Sequence, residues 1–251
     1  MLTDERHRLI RDRLSTEGRV IAAALANELG VSEDTVRRDL RELARSGACR
    51  RVYGGAVPLA PDPAPAAVRA TVGAPEKSAL ARAAVGLLTA EATVFIDAGT
   101  TNAAIAAAIP PGLPLTVATN ALAVAAALAH HGRVRLLVLG GTYDPDKDAC
   151  LGSDTVDAVR RLNADLFFLG ACGIDARVGA TAHDPAEAEV KRAMAAASRR
   201  LAIAATRDKL GTAAPFAVAP PEAVSDLVVA ADTPAAALAP FEALGVRLHR
   251  A

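Results

Sequence analysis

A stretch near the start of the sequence carries three arginines and a threonine that could contact nucleic acid. Thr35, Arg37, Arg38 and Arg41 fall on the polar face of a predicted helix. Arginine offers a planar fork to guanine edges and phosphates, and threonine can reach a phosphate or a thymine methyl group. This set of side chains predicts a helix that binds double-stranded DNA.

The same arginines would also suit an ordinary solvated helix, in which they only pair with neighbouring carboxylates. Such exposed pairs contribute roughly a few tenths of a kcal/mol each. The carboxylates within reach are Glu33, Asp34 and Glu42. The segment that follows favours the DNA interpretation, because Arg50, Arg51 and Tyr53 precede a glycine pair at residues 54–55. A basic hairpin directly after a recognition helix is typical of a wing.

Two short helices joined by a turn are predicted to position this polar face. Residues 22–29 are good helix formers, and Gly30 follows where a helix end favours a residue that tolerates positive φ. Ser32 is a strong N-cap for the next helix and a further candidate for DNA contact. A further helix over residues 4–15, capped by Thr3, would complete a three-helix core. The inward apolar stripe of the recognition helix is predicted to be Val36, Leu40 and Leu43.

Polar or glycine-rich segments follow five apolar strands predicted in the larger part of the chain. Parallel strands end at one edge of a sheet, so these segments are expected to meet there. Glycine lets backbone N–H groups approach an anion, and threonines at a helix N-terminus direct hydroxyls and amides at a phosphate. The sequence therefore predicts an anion-binding cleft with two lysines as countercharges. Its candidate residues are Asp97, Gly99, Thr100, Thr101, Thr119, Asn120, Gly140, Gly141, Gly173, Lys191 and Lys209.

Each of these residues also has an ordinary structural interpretation. A glycine after a strand often only makes a tight turn, and Asp97 could simply cap its loop. Lys191 lies four residues after Glu187, which is the spacing of a surface ion pair on a helix. Five polar strand ends combined with almost wholly apolar strands favour the cleft.

Alternating helices and strands after residue 76 predict an α/β domain with a largely parallel sheet. The predicted strands are residues 93–96, 115–118, 134–139, 165–170, 201–205, 226–230 and 246–249. The predicted helices are residues 76–90, 101–108, 121–130, 154–162, 185–198 and 234–244.

Five prolines within residues 58–75 predict a semi-rigid, extended linker that forms neither a helix nor a central strand. The expected organisation is therefore a DNA-binding domain over residues 1–57, a linker over 58–75, and an effector-sensing and oligomerisation domain over 76–251.

Composition excludes several classes of protein. An apolar content of 52% and a mean hydropathy of +0.25 indicate a folded chain with a substantial core. A net charge of zero argues against a protein that coats nucleic acid indiscriminately. The three cysteines are too widely separated to suggest a disulfide framework or a zinc site, and no metal or cofactor is expected. The charged N-terminus and the lack of a long uncharged apolar run predict a cytoplasmic protein without a membrane span.

Two runs of the sequence resemble the N-terminal winged helix-turn-helix of the DeoR family of bacterial transcription regulators. They are GVSEDTVRRDLRELARSG and RRVYGGA. The resemblance implies that residues 20–39 are the helix-turn-helix proper and that Thr35, Arg37 and Arg38 contact DNA. Cys49 is a departure, because the family more often has leucine there.

The larger part of the chain, residues 76–232, resembles the sensor domain of the same family. The motifs that carry this resemblance are EKSALARAA, FIDAGTT, VATN, LLVLGGTYD, ADLFFLGACGID, EAEVKRAM and DKLG. That domain is similar in fold to sugar-phosphate isomerases and coenzyme A transferases. The resemblance implies a phosphorylated sugar or related metabolite held by the D-x-G-T-T loop. Cys172 and Thr206 stand where many members have aspartate, and Ala231 stands where threonine is usual, which leaves the identity of the effector open.

Together these features predict a transcription regulator, specifically a repressor of carbohydrate-metabolism genes. Its expected partners are double-stranded operator DNA, a sugar-phosphate effector and further copies of itself in a dimer or tetramer. Paired helix-turn-helix units read half-sites about 34 Å apart, which is why oligomerisation is expected. The sequence leaves open whether the effector induces or corepresses.

The competing hypothesis is an enzyme, either a sugar-phosphate isomerase or an acyl transferase, with a DNA-binding domain attached. Its acid and base groups would come from Asp97, Glu187, Glu189 and Lys191, with Cys172 as a nucleophile. No Ser-His-Asp, Cys-His or metal constellation and no phosphate-binding glycine motif supports it. We therefore expect no catalytic activity.

Overall fold

The computed structural model describes residues 2–61 and 64–251, and its N-terminal part is a three-helix unit with a small antiparallel sheet. The sheet has the order β1-β3-β2, and β2 and β3 form the hairpin that follows the third helix. This confirms the predicted winged helix-turn-helix. Its elements are α1 (Thr3–Glu17), β1 (Val20–Ile21), α2 (Ala22–Leu29), α3 (Glu33–Arg45), β2 (Arg50–Val52) and β3 (Gly55–Val57).

Local sequence signals explain the helix boundaries of this unit. Gly30 has φ +63° at the end of α2, and the Ser32 side chain accepts a hydrogen bond from the Thr35 amide at the start of α3. The first helix differs slightly from the prediction. Leu2 is its N-cap instead of Thr3, because the Glu5 carboxylate accepts from the Leu2 amide. The predicted apolar stripe of α3 is buried, together with Ile10 and Leu25 from the other helices.

The proline-rich segment differs from the predicted extended linker, because it contains a short helix, α4 (Ala66–Thr71). Pro65 is the N-cap of this helix, and Pro75 lies in the first turn of the next one. Proline is tolerated at these positions because the backbone N–H groups of a first turn have no partner within the helix. The alanine-rich run between the two prolines is therefore free to be helical. The prediction that this stretch forms no helix was wrong.

The larger part of the chain contains six further helices around strands. Their bounds are α5 (Ala74–Ala84), β4 (Thr93–Ile96), α6 (Thr100–Ala108), β5 (Leu115–Thr119), α7 (Leu122–Leu128), β6 (Val134–Val138), β7 (Thr142–Asp144), β8 (Ala149–Leu151), α8 (Ser153–Val159), β9 (Leu166–Phe168), β10 (Gly173–Asp175), β11 (Gly179–Ala182), α9 (Pro185–Ala196), β12 (Leu201–Ala204), β13 (Phe216–Ala219), β14 (Asp226–Val229), α10 (Ala235–Glu242) and β15 (Arg247–Arg250). Within the described residues, no helix is long and apolar enough to cross a bilayer.

A seven-stranded parallel sheet organises this domain, with the order β15-β14-β12-β9-β4-β5-β6. Its seven strands are the ones that the sequence predicts, so the α/β fold class is confirmed. Phe95, Phe167 and Phe168 lie at its centre with at most 1% exposure, and the first two make an edge-to-face ring contact. Strand β9 lies between β4 and β12, which brings the carboxyl ends of β4 and β9 side by side.

Two small antiparallel sheets follow the ends of the central strands and are not predicted from the sequence. One is the β7–β8 hairpin, and the other has the order β10-β11-β13. Each of these strands is only three or four residues long and rich in small or polar residues. Such segments lack the apolar alternation by which a strand is recognised. They form the rim around the carboxyl edge of the main sheet.

Candidate nucleic-acid interface and ligand cleft

The polar face of α3 is open to solvent. Arg37, Arg38 and Arg41 are exposed, and Thr35 is half-buried. The hydroxyls of Ser32 and Thr35 lie 2.9 Å apart, so both also stabilise the first turn of the helix. The arrangement leaves three guanidinium groups on one accessible face, as the sequence predicts.

The inward side of α3 carries an ion pair that the sequence analysis missed. Asp39 is 3% exposed and accepts from Arg6 of α1, with Nε–Oδ2 and Nη2–Oδ1 distances of 2.7 Å and 3.1 Å. The His7 ring lies 3.4 Å from the same carboxylate. Because the pair is bidentate and buried, it fixes the rotation of α3 relative to α1. No feature of spacing marks these two residues as partners in the sequence.

The alternative role of the arginines as partners for neighbouring carboxylates applies to one of them. Arg37 Nη2 lies 2.7 Å from Glu33 Oε1, and both side chains are about half exposed. Such a pair contributes roughly 0.3–0.5 kcal/mol, so it can be exchanged for a phosphate contact at little cost. In the described part of the chain, Arg38 and Arg41 make no hydrogen bond or ion pair.

The wing lies beside α3 and shares a groove with it. Arg37, Arg51 and Tyr53 line this groove, which has a volume of about 220 Å³. The Tyr53 side chain is fully exposed. Arg50 points elsewhere, because its guanidinium donates to the carbonyl of Pro215 in the larger domain over 2.8 Å. Of the three predicted wing contacts, two therefore face the groove and one joins the two parts of the molecule.

A buried cluster of charges lies where β4 and β9 end. Lys191 of α9 donates to Asp97 over 2.7 Å and to the Gly170 carbonyl over 2.6 Å, and its Nζ lies 3.1 Å from Glu187. Asp97 also accepts from the Gly170 amide and from Asn102, each over 2.7 Å. Both members of the Asp97–Lys191 pair are at most 2% exposed. The structure thus brings two predicted cleft residues into direct contact.

The two predicted countercharges differ in their surroundings. Burial alone would lower the pKa of Lys191, but the charges of Asp97 and Glu187 outweigh it and raise the pKa. Its positive charge is already matched by these two carboxylates. Lys209 is half-buried, and among the described residues its ammonium group has no hydrogen-bond or ion-pair partner. Burial lowers the pKa of Lys209, which is the expected effect on a cation without a close partner.

A cavity of about 300 Å³ lies at the N-terminus of α6. Gly99 is the N-cap of this helix, and no side chain caps its free backbone amides. Gly99 and Thr100 line the cavity, as predicted, whereas Thr101 is buried beside them. The remaining lining residues are Ala66, Ala67, Ala70, Ala103, Ala123, Tyr143, Pro145, Lys147 and Asp148.

The other predicted cleft residues lie outside the lining of this cavity. Thr119 accepts from the Ala121 amide, and Asn120 donates to the Cys150 carbonyl, so both organise the end of β5. The Asn120 Oδ1 atom is buried without a partner among the described residues. The three predicted glycines in this group, Gly140, Gly141 and Gly173, lie in turns or close contacts. A Cβ atom at Gly141 would lie 2.1 Å from Thr155 Oγ1, and one at Gly173 would lie 2.7 Å from the Thr212 carbonyl.

Several residues around the cavity were not predicted. Tyr143 donates to Asp148 over 3.0 Å, and Lys147 lies 2.5 Å from Asp144 and 3.7 Å from Asp184. Apart from Asp184, the N-cap of α9, they belong to the β7–β8 hairpin, whose sequence only suggests a polar loop. The alternation of charged residues between two short strands was the available signal.

Of the groups named for an enzyme, Asp97, Glu187 and Lys191 contact one another, whereas Cys172 and Glu189 have other surroundings. Burial raises the pKa of the Cys172 thiol, and a protonated thiol is a weak nucleophile. Glu189 is exposed and makes no contact with the buried Asp97–Lys191 pair. Among the described residues, no group of three or more His, Cys, Asp or Glu side chains could hold a metal ion.

Comparison with known families matches both parts of the chain. Residues 6–61 match the "DeoR-like helix-turn-helix domain", and residues 73–231 match the "DeoR C terminal sensor domain". The "HTH-type transcriptional regulator GlpR" of Haloferax volcanii is 34% identical over 218 residues, which cover 84% of this chain and 83% of that protein. The "Glycerol-3-phosphate regulon repressor" of Escherichia coli is 31% identical over 212 residues, which cover 84% of each chain.

Among solved structures, the chain is similar to ribose 5 phosphate isomerase A from Neisseria gonorrhoeae. The identity is 16% and the TM-score 0.40, and the match covers 53% of this chain and 52% of that one.

Proposed function

Because the chain belongs to the DeoR family of transcription regulators, we propose that it is a DNA-binding repressor of carbohydrate-metabolism genes. Its operator affinity is controlled by a phosphorylated sugar or a related metabolite. The proposed organisation is a DNA-binding domain over residues 1–57, a linker over 58–75 and a sensing and oligomerisation domain over 76–251. The observation that carries the proposal is the basic groove between α3 and the wing, lined by Arg37 and Arg51.

The proposed DNA contact places α3 in the major groove. Arg37, Arg38 and Arg41 face the duplex, and the wing adds Arg51 and Tyr53 at the sugar-phosphate backbone. The buried Arg6–Asp39 pair supports this assignment, because it holds α3 with its arginines outward. Direct base contacts from arginine are worth about 1–3 kcal/mol of discrimination each, while phosphate contacts add salt-dependent affinity.

The proposed effector site is the cavity at the N-terminus of α6. The unpaired amides after Gly99 and the Thr100 hydroxyl are suited to a phosphate group. Both predicted countercharges lie outside the lining of this cavity. For a phosphate that extends past the lining, Lys209 is the better countercharge than Lys191, because its ammonium group has no carboxylate partner among the described residues. The name of the Escherichia coli relative, a glycerol-3-phosphate regulon repressor, supports a small phosphorylated ligand.

Control of DNA binding requires that the effector prefer one conformation of the protein. A coupling free energy of about 1–3 kcal/mol is typical and corresponds to a change of roughly 5- to 150-fold in operator affinity. We further propose that the protein acts as a homo-oligomer, because two recognition helices must reach half-sites about 34 Å apart.

The DNA assignment is tested by replacing both Arg37 and Arg38 with alanine. We expect specific operator footprinting to be lost while the melting temperature stays nearly unchanged, because both side chains are exposed. Arg160→Ala removes one arginine charge at the exposed C-cap of α8, away from this face, and serves as a control. A double variant that still protects the operator at wild-type concentrations would refute the assignment.

The effector assignment is tested with glycerol 3-phosphate, fructose 1-phosphate, fructose 6-phosphate and ribose 5-phosphate. We expect one of them to change operator affinity without being consumed, and the Thr100→Val, Thr101→Val double variant to bind operator but not respond. Thr93→Val, at the opposite end of β4, is the matched control. Turnover of a compound would instead favour the enzyme hypothesis.

A further inference from the structure

We propose that the linker helix α4 forms one wall of the effector cavity. A bound ligand then acts on the DNA-binding domain by changing the position of this helix. The inference rests on the effector function proposed above and assigns its means of regulation to residues 66–71. A segment that connects two domains would then also be part of the binding site.

The walls of the cavity place α4 in contact with any ligand bound there. Ala66, Ala67 and Ala70 of α4 form one wall, and Gly99 and Thr100 of α6 form another. The β7–β8 hairpin closes a third side. A volume of about 300 Å³ is at the lower end of the range for small-molecule sites. A ligand the size of a sugar phosphate therefore cannot fill this space without contacting the helix.

Few interactions hold α4 in place. The helix has six residues, none of them buried, and a helix this short is not stable in water by itself. At its start, the Ala66 amide donates to the Asp146 carbonyl over 2.8 Å. At its end, Lys77 Nζ donates to the carbonyls of Arg69 and Val72 over 2.5 Å and 2.6 Å. Both attachments come from neighbouring elements, so the position of α4 depends on its surroundings.

The chain before α4 is bound to the larger domain close to the wing. The Ala60 amide donates to the Ala213 carbonyl over 3.1 Å, and the Ala213 amide donates to Pro58 over 3.2 Å. The His183 ring lies 2.9 Å from the Pro61 carbonyl. Arg50 of the wing donates to Pro215, two residues after Ala213. Along the chain, α4 thus lies between the cavity and a tether at the base of the DNA-binding domain.

These contacts connect ligand binding in the cavity to the position of the wing. A ligand that binds more tightly with α4 displaced shifts the helix to that position by its difference in affinity. The displacement then changes the strain on residues 58–61 and on the Arg50 contact, which set the orientation of the wing. The alanines on the inner face of α4 leave space that a ligand can occupy.

The test uses the full-length protein without ligand and fills the cavity from the helix side. Ala67→Leu and Ala70→Leu each add three carbon atoms toward the cavity, whereas Val68→Leu changes an exposed side chain that does not line it. We expect the two lining variants to change the operator Kd by at least fivefold and the Val68 variant to match the wild type. Equal affinities for all four proteins would overturn the proposal.

A second measurement avoids substitutions in the cavity. Lys77→Gln removes the ammonium group at the end of α4, so hydrogen exchange of the amides at residues 66–72 should become faster and the operator Kd should change. Unchanged exchange and affinity in this variant would contradict the proposal even if the leucine variants failed to fold.

The outcomes separate this proposal from the effector function. If one of the four sugar phosphates changes operator affinity in the wild type but leaves exchange at residues 66–72 unchanged, the effector function stands and the role of α4 is refuted. If none of the four acts but the leucine and Lys77 variants change the operator Kd, α4 controls DNA binding and the ligand class is wrong.

Discussion

Arg6 in α1 and Asp39 in α3 form a bidentate ion pair in the interior of the DNA-binding domain. The pair joins the first helix to the recognition helix at the position next to Arg38. Asp39 is directed inward and held by two hydrogen bonds, and this rotation of the helix leaves Arg38 at the adjacent position exposed. The orientation of the proposed DNA-contacting face therefore depends on a buried residue.

We predict that Asp39→Ala destabilises the DNA-binding domain by about 3–5 kcal/mol, because it leaves a buried guanidinium without its carboxylate. Urea unfolding followed by circular dichroism measures the loss. Glu28→Gln, which breaks the more exposed Arg13–Glu28 pair, should change stability by less than about 1 kcal/mol. Similar stabilities for the two variants would contradict this assignment.

Arg50 and Arg51 are neighbours on the wing with different predicted effects. Arg51→Ala should reduce the slope of log Kd against log salt concentration by about 0.9, the value for one phosphate contact. Arg50→Ala should leave the slope unchanged, because Arg50 donates to Pro215, and should instead alter the response to effector. Binding measured at several salt concentrations distinguishes them, and equal slope changes would place both residues on DNA.

The two lysines predicted as countercharges should also behave differently. Lys191→Met should lower the free energy of unfolding by about 3 kcal/mol or more, since it leaves buried Asp97 without its cation. Lys209→Met should keep or raise stability and weaken the effector response. Thermal unfolding and operator binding with the four sugar phosphates measure both effects. A stable Lys191 variant with a lost response would reverse the two roles.

Asp226 provides a prediction about pH. It is fully buried, and burial alone would raise its pKa, but hydrogen bonds from Arg247, Arg200 and His249 outweigh this and lower the pKa to about 2. A carboxyl group with a lowered pKa in the folded state stabilises the protein above its ordinary pKa, near 4, and loses this effect as the pH falls toward 2. Asp226→Asn should therefore cost about 2 kcal/mol at pH 7. Urea unfolding between pH 7 and pH 3 should show this difference shrinking below pH 4, and a constant difference would exclude the ion cluster as its source.

Local signals were sufficient to predict the recognition helix and the main sheet. The Ser32 cap and the stripe through Leu40 act within a few residues of each other, so the sequence alone defines the helix. Most strands of the parallel sheet are short apolar runs, which are equally local; β15, with the sequence RLHR, is the exception. Interactions between distant residues could not be predicted in this way, as Arg6 and Asp39 show.

The ligand cleft could be predicted only in outline. Gly99 and Thr100 were identified because they follow a strand and begin a helix, which is a local feature. The pairing of Lys191 with Asp97 depends on how α9 packs against β4, so the sequence did not reveal that this lysine is neutralised. The number of prolines does not predict the linker helix, because their positions matter: Pro65 is an N-cap and Pro75 lies in a first turn, where proline is tolerated.

The chain leaves β3 at Val57 and is hydrogen-bonded to Ala213 within three residues. Only a very short free segment therefore separates the DNA-binding domain from the larger domain. In an assembly of two or more copies, the span between recognition helices is then fixed by the larger domains. Moving two half-sites apart by about five base pairs, half a turn of B-DNA, would turn the second one to the far side of the duplex. The protein would thus select its targets by the phasing of the half-sites as well as by their bases.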